Sequence, residues 1–130
     1  MYLSANRIID IVCEAITERH ILAVRYQHTD NQMIVLHRLA PFDVGTTNPK
    51  NIQRFADNLY AYSYTHIDRE TNLPDPRVIT FNIHYFIDII TTEEIFDETD
   101  LCLRNLRATK YDYRNCRFAL LPNRNWFVTI

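Results

Sequence analysis

The sequence predicts a single α+β domain, on three observations. At 130 residues, with 47% hydrophobic side chains and one glycine, the chain has material for one core and no low-complexity segment. An apolar stripe at helical spacing opens it, and period-two alternation recurs in several later runs. Turn-forming clusters separate those runs at hairpin spacing. The predicted order is helix, two strands, short helix, two strands, helix, two strands.

Ser4 is placed to cap the first helix, where Ile8, Ile9, Val12, Ala15 and Ile16 fall on one face and His20 lies near the end. The run "ILAVRYQHTDNQMIVLHRLAP" then reads as a hairpin around Thr29-Asp30-Asn31-Gln32. Leu22, Val24 and Tyr26 share one face of its first strand. In its second strand Ile34, Leu36 and Arg38 share one face and Met33, Val35, His37 and Leu39 the other. Pro41, which lacks an N–H, is expected to stop that strand. Asn48 as cap and Pro49 in the first turn predict a short helix ending near Asp57, with Ile52, Phe55 and Ala56 on its buried side.

The stretch "LYAYSYTHID" puts Tyr60, Tyr62, Tyr64, His66 and Asp68 in one phase of a strand. Either that face or the alternate one (Leu59, Ala61, Ser63, Thr65, Ile67) is the buried one. "VITFNIHYFIDII" reads as one strand whose core side is Ile79, Phe81, Ile83, Tyr85 and Ile87. Thr91 and Glu94 in "TTEEIF" have capping-box spacing, so a helix is expected to start there. The end, "CRFALLPNRNWFVTI", reads as a hairpin around Pro122-Asn123-Arg124-Asn125.

Charge is unevenly spread. Residues 1–100 carry 8 Lys/Arg against 15 Asp/Glu, whereas residues 101–130 carry 6 against 1. Tyr111, Tyr113, Phe118, Trp126 and Phe127 are interleaved with that basic segment, a pattern suited to phosphates and bases. The plainer alternative is that the basic tail neutralises the acidic body. No apolar run approaches the ~18 residues of a membrane span, and "MYLSANRIID" lacks the features of a signal peptide. Cys13, Cys102 and Cys116 form no CxxC pair, which suits thiols in a reducing compartment, so a cytoplasmic location is expected.

Catalytic chemistry finds little support. The five histidines show no metal-ligand spacing, although His66 and His84 fall on predicted strands whose pairing would bring them together. Cys13 lies on the apolar side of the first helix, where a thiol is inert. With one glycine there is no phosphate-cradling loop. The chain is expected to be no enzyme, and to carry no metal and no cofactor.

From residue 15 to 96 the chain resembles a WYL domain. The likeness rests on "AITERHILAVRY", on "HRLAPFDV" with its Arg38-x-x-Pro41, and on "NLYAYSY", "VITFNIHYFIDI" and "TTEEIF". Tyr26 matches the tyrosine that ends the first strand, and Tyr62 the aromatic after the naming tripeptide. That tripeptide falls on Asp57-Asn58-Leu59, so only its leucine is kept. The two strand arginines are absent from Phe81-Asn82-Ile83-His84-Tyr85-Phe86, and no helix-turn-helix precedes the domain. The resemblance implies a small Sm-like or SH3-like β-barrel with an N-terminal helix, spanning about 15–96. Residues 97–130 would add a basic, aromatic helix–hairpin extension within the same single domain.

The resemblance also implies a bacterial or phage regulatory module, tied to transcription regulation or antiviral defence. It would bind single-stranded nucleic acid or a nucleotide-like ligand. Tyr26, Arg38, Tyr60, Tyr62, Tyr64 and His84 would line the site, with Arg25 adding charge. Arg114, Arg117 and Trp126 would extend it. A partner protein would supply DNA-binding or effector function, and a homodimer is one arrangement open to the chain. The other reading is a protein–protein adaptor or inhibitor that docks through exposed strand edges and the tyrosine face.

Overall fold

The computed structural model of the chain describes residues 4–27, 32–45 and 57–97. Helix α1 (Ala5–Glu18) starts as expected: Ser4 Oγ accepts the Arg7 N–H at 3.4 Å. Ile8, Val12, Ala15 and Ile16 are buried against the sheet, and Ile9 packs beside them. Arg19 ends the helix in the left-handed conformation at φ 62°, and its N–H donates to the Ala15 carbonyl. His20 is therefore the first residue of the next strand and not part of the helix. No helix among the described residues is long and apolar enough to cross a membrane.

Five antiparallel strands follow: β1 (His20–Gln27), β2 (Ile34–Gly45), β3 (Asn58–Ser63), β4 (Arg77–Asn82) and β5 (Phe86–Ile95). Their order in the sheet is β4-β3-β2-β1-β5. β1 and β2 form the expected hairpin, with Leu22 opposite Leu39 and Gln27 opposite Ile34. Residues 28–31 of its turn and the helix expected at 48–56 lie outside the described residues. So does the extension beyond Asp97, including its predicted hairpin.

Four expectations about the strands are corrected. β2 runs through Pro41 to Gly45. Strand alternation turns the Pro41 nitrogen toward β1, whose ladder with β2 already ended at Leu22–Leu39, so the missing N–H costs no sheet bond. A register shift between Pro41 and Asp43 absorbs the remaining irregularity. The tyrosine strand stops at Ser63, so Tyr64, His66 and Asp68 do not continue the face begun by Tyr60 and Tyr62. The long apolar strand is in fact two, broken by a 3-10 turn at Ile83–Tyr85 that Asn82 Oδ1 caps by accepting the His84 N–H. The turn shifts the phase, so Phe86 and Ile89 are buried in place of the expected Ile87.

The fourth correction concerns residues 91–96. The capping-box helix does not form; β5 continues as strand to Ile95. Thr91 lies opposite Leu22 and Ile95 opposite His20, and Thr92 Oγ1 donates to the Ile21 carbonyl at 2.7 Å. Ile87, Ile89, Ile90, Thr91 and Thr92 are all β-branched, and such a run beside an unpaired strand edge favours the sheet over a local cap.

The expected barrel is not closed by strand pairing: β4 and β5 are the two edges of the sheet. The sheet nonetheless curls round its core. Tyr26 of β1 reaches β4, three places away in the order, where its Oη accepts the Asn82 N–H at 2.9 Å. Its ring meets Phe81 and Phe86 edge-on at 5.0 and 5.1 Å. Burial raises the Tyr26 pKa from the ordinary tyrosine value, partly offset by that hydrogen bond. The small-residue face of β3 joins the core with α1 through Leu59 and Ala61, and Tyr60 of the alternate phase is buried as well.

Candidate functional site

The face of the sheet away from α1 holds the more open chemistry. On β1 the residues between the core positions are Ala23 and Arg25. Register places Arg38 and Leu36 of β2 beside them on one side, and Ile90 and Asp88 of β5 on the other. Arg25 forms an ion pair with Asp88. Arg38 reaches across β1 to Glu94, with Nη2 2.7 Å from Oε1. The two ion pairs thus stand on either side of Ala23, whose single methyl leaves a depression between them.

A cavity of about 640 Å³ fills that depression. Leu36, Ile67 and Ile90 supply apolar walls, and Thr65 adds a hydroxyl side chain. Leu36, Ile67 and Ile90 are among the most exposed large apolar side chains described. Both ion pairs are about half exposed, and pairs of that kind contribute only ~0–1 kcal/mol each. An anionic ligand could therefore draw either guanidinium from its carboxylate at small cost. Arginine also stacks on flat rings, so this slot suits a planar, negatively charged molecule.

The site residues expected from the sequence are dispersed. Arg38 stands on the slot, as does Arg25. Tyr26 is in the core on the opposite face. Tyr60 is buried with its ring 6.4 Å from that of Phe42. Tyr62 and Tyr64 are half-buried and meet edge-to-face at 5.1 Å. His84 is exposed in the 3-10 turn. Arg114, Arg117 and Trp126 lie outside the described residues. His66 does not approach His84, because they sit at opposite ends of β4: His66 Nδ1 is 2.9 Å from the Asp75 carbonyl, before the strand begins, and His84 follows its last residue.

Among the described residues no group of three or more His, Cys, Asp or Glu side chains could hold a metal ion. Sequence reasoning missed Ala23, Asp88 and Ile90 as members of the slot, and Glu94 as the ion-pair partner of its Arg38. The usable signal was phase: Ala23 and Arg25 alternate with the core residues of β1, as Leu36 and Arg38 do on β2. Glu94 stayed hidden because its spacing from Thr91 imitates a helix cap.

Neither the family models nor the curated proteins contain a match to this chain. What the fold defines is a small α+β domain with a curled antiparallel sheet and one helix. A solved structure of that kind is proteasome accessory factor B/C (PafBC) of Arthrobacter aurescens, similar with a TM-score of 0.50 at 12% sequence identity. The similarity covers 73% of this chain and 12% of the PafBC chain, and it is a likeness of fold.

Proposed function

We propose that this chain is a non-enzymatic, WYL-like regulatory module that binds single-stranded nucleic acid or a nucleotide-like ligand. The observation that carries the reading is the slot over Ala23, flanked by the Arg25 and Arg38 guanidiniums and walled by Leu36, Ile67 and Ile90. Support comes from the likeness of fold to PafBC. In this reading a base enters the slot and stacks on a guanidinium plane, while phosphate competes with Asp88 or Glu94 for the arginines. The basic tail, through Arg114, Arg117 and Trp126, carries the strand onward. A partner protein supplies the effector function, in a bacterial or phage regulatory or defence setting.

Fluorescence anisotropy with labelled single-stranded RNA and DNA at ~50 and ~200 mM salt tests this, with duplex DNA as control. Binding is expected to single strands and to weaken at the higher salt. Ala23→Leu fills the slot without touching either charge and is expected to weaken binding by about tenfold or more, a loss of ~1.4 kcal/mol. Arg38→Ala should weaken it and flatten the salt dependence. Equal binding by wild type and Ala23→Leu would remove the slot from the mechanism, and no binding at either salt would end the reading.

A further inference from the structure

A second surface, on the edge of β2, goes beyond that reading and does not depend on it. Arg38 turns both of its backbone groups toward β3: its carbonyl accepts the Tyr64 N–H at 2.9 Å and its N–H donates to Thr65 Oγ1 at 3.0 Å. Backbone groups alternate along a strand, so Ile34 and Leu36 turn theirs to the same side. β3 is not there to meet them, because its ladder with β2 extends only as far as Leu39–Ser63. Among the described residues no strand pairs with the outward backbone groups of Ile34 and Leu36. A cavity of about 510 Å³, bordered by Val35 and Leu36 on one side and Thr65 to Arg69 on the other, lies along it.

Edge strands are normally blunted by a charge, a proline or a bulge. This edge has none of the three: residues 32–37 read Gln-Met-Ile-Val-Leu-His, and their ladder with β1 is regular. Ile34 and Leu36 are 51% and 68% exposed, so the apolar side chains that flank the edge are also uncovered.

We propose that this edge is a self-association surface, on which a second copy of the chain lays its own β2 antiparallel about a two-fold axis at Val35. That register sets Ile34 of each copy opposite Leu36 of the other. Both residues present outward backbone groups, so the two pairs satisfy every outward group of Ile34 and Leu36 in both copies. Each apolar side chain then meets an apolar one, a match that the symmetry of the pairing guarantees. Charge does not oppose a copy: Gln32 to Leu36 carry no charged side chain, so two such strands meet without like charges opposed. The result is one sheet continuous across two subunits.

Sedimentation equilibrium of the full chain from ~5 to ~500 µM tests the proposal, since a self-association must follow concentration. The wild type is expected to shift from one-copy to two-copy mass across that range. Leu36→Lys and Leu36→Pro are each expected to stay at one-copy mass with an unchanged far-UV circular dichroism spectrum. The Leu36 side chain is exposed and its N–H points away from β1, so neither change touches the β1–β2 ladder. Ile34→Glu alone is also expected to remain single. An equimolar mixture of Ile34→Glu and Leu36→Lys should recover the two-copy species, because the register sets the new charges opposite each other. A wild type that stays single throughout, a two-copy species that survives both Leu36 variants, or a mixture that fails to associate would each overturn the proposal.

Discussion

The two halves of β2 make different use of one strand. From Leu39 to Gly45 every residue is buried, and β3 covers the flank of the strand. From Ile34 to Arg38 only His37 is buried, β1 is the one strand of the ladder beside it, and Leu36 and Arg38 face the slot. Hydrophobicity does not separate the halves, since Ile34, Val35 and Leu36 are as apolar as Leu39, Phe42 and Val44. What separates them is where β3 ends. A side chain's contribution here depends on its neighbours across the sheet, and the same leucine is structural at 39 and available for recognition at 36.

The sharpest way to break that comparison is to truncate both leucines. Leu39→Ala empties a fully buried site and should cost about 2–5 kcal/mol in urea unfolding. Leu36→Ala should stay within about 0.5 kcal/mol, as exposed substitutions do. Equal losses at the two positions would show that the outer half is also structural. Tyr26→Phe comes next. It deprives the Asn82 N–H of its acceptor, and the expected cost is about 1–2 kcal/mol. Because the folded pKa of Tyr26 is raised, its contribution is fully present below the ordinary value near ~10 and is lost as pH rises through the folded value. Wild type should therefore lose stability faster than Tyr26→Phe above about pH 10.

The smallest effect belongs to the loop that follows β3. Asp68 Oδ1 accepts the N–H groups of Thr71 and Glu70 at 3.0 and 2.8 Å, which lowers its pKa. A depressed carboxylate adds stability above the unfolded value near ~3.9 and loses it as pH falls through the folded one. The amide NMR shifts of Glu70 and Thr71 should accordingly move below about pH 4 and hold steady in Asp68→Asn. Shifts that moved equally in Asp68→Asn would assign the change to another group.

Local signals in the sequence survived into the structure where nothing distant competed with them. The Ser4 cap, the α1 stripe and the hairpin of β1 and β2 all depend on residues within one or two turns of chain. The failures have distant causes. Pro41 does not end β2 because β1 has already turned away, and Thr91–Glu94 does not cap a helix because β1 offers an edge about 70 residues earlier. The slot was half legible for the same reason. Arg25, Leu36 and Arg38 could be placed on a face from their own strands, but Asp88, Ile90 and Glu94 needed the β1–β5 register.

That pairing also sets a schedule for the growing chain. β1 finds β2 within a few residues, whereas Arg25 and Asp88 are 63 residues apart in sequence. At ~5–20 residues per second, β1 leaves the ribosome with its second flank bare for on the order of 3–13 s before β5 follows. Val24, Tyr26 and the apolar face of α1 have no complete core to enter during that interval. The Phe96 N–H, which donates to the carbonyl of Arg19 at 2.9 Å, closes the gap last. A nascent chain stopped short of residue 96 is thus the form of this protein most exposed to chaperones and to its own neighbours on the polysome.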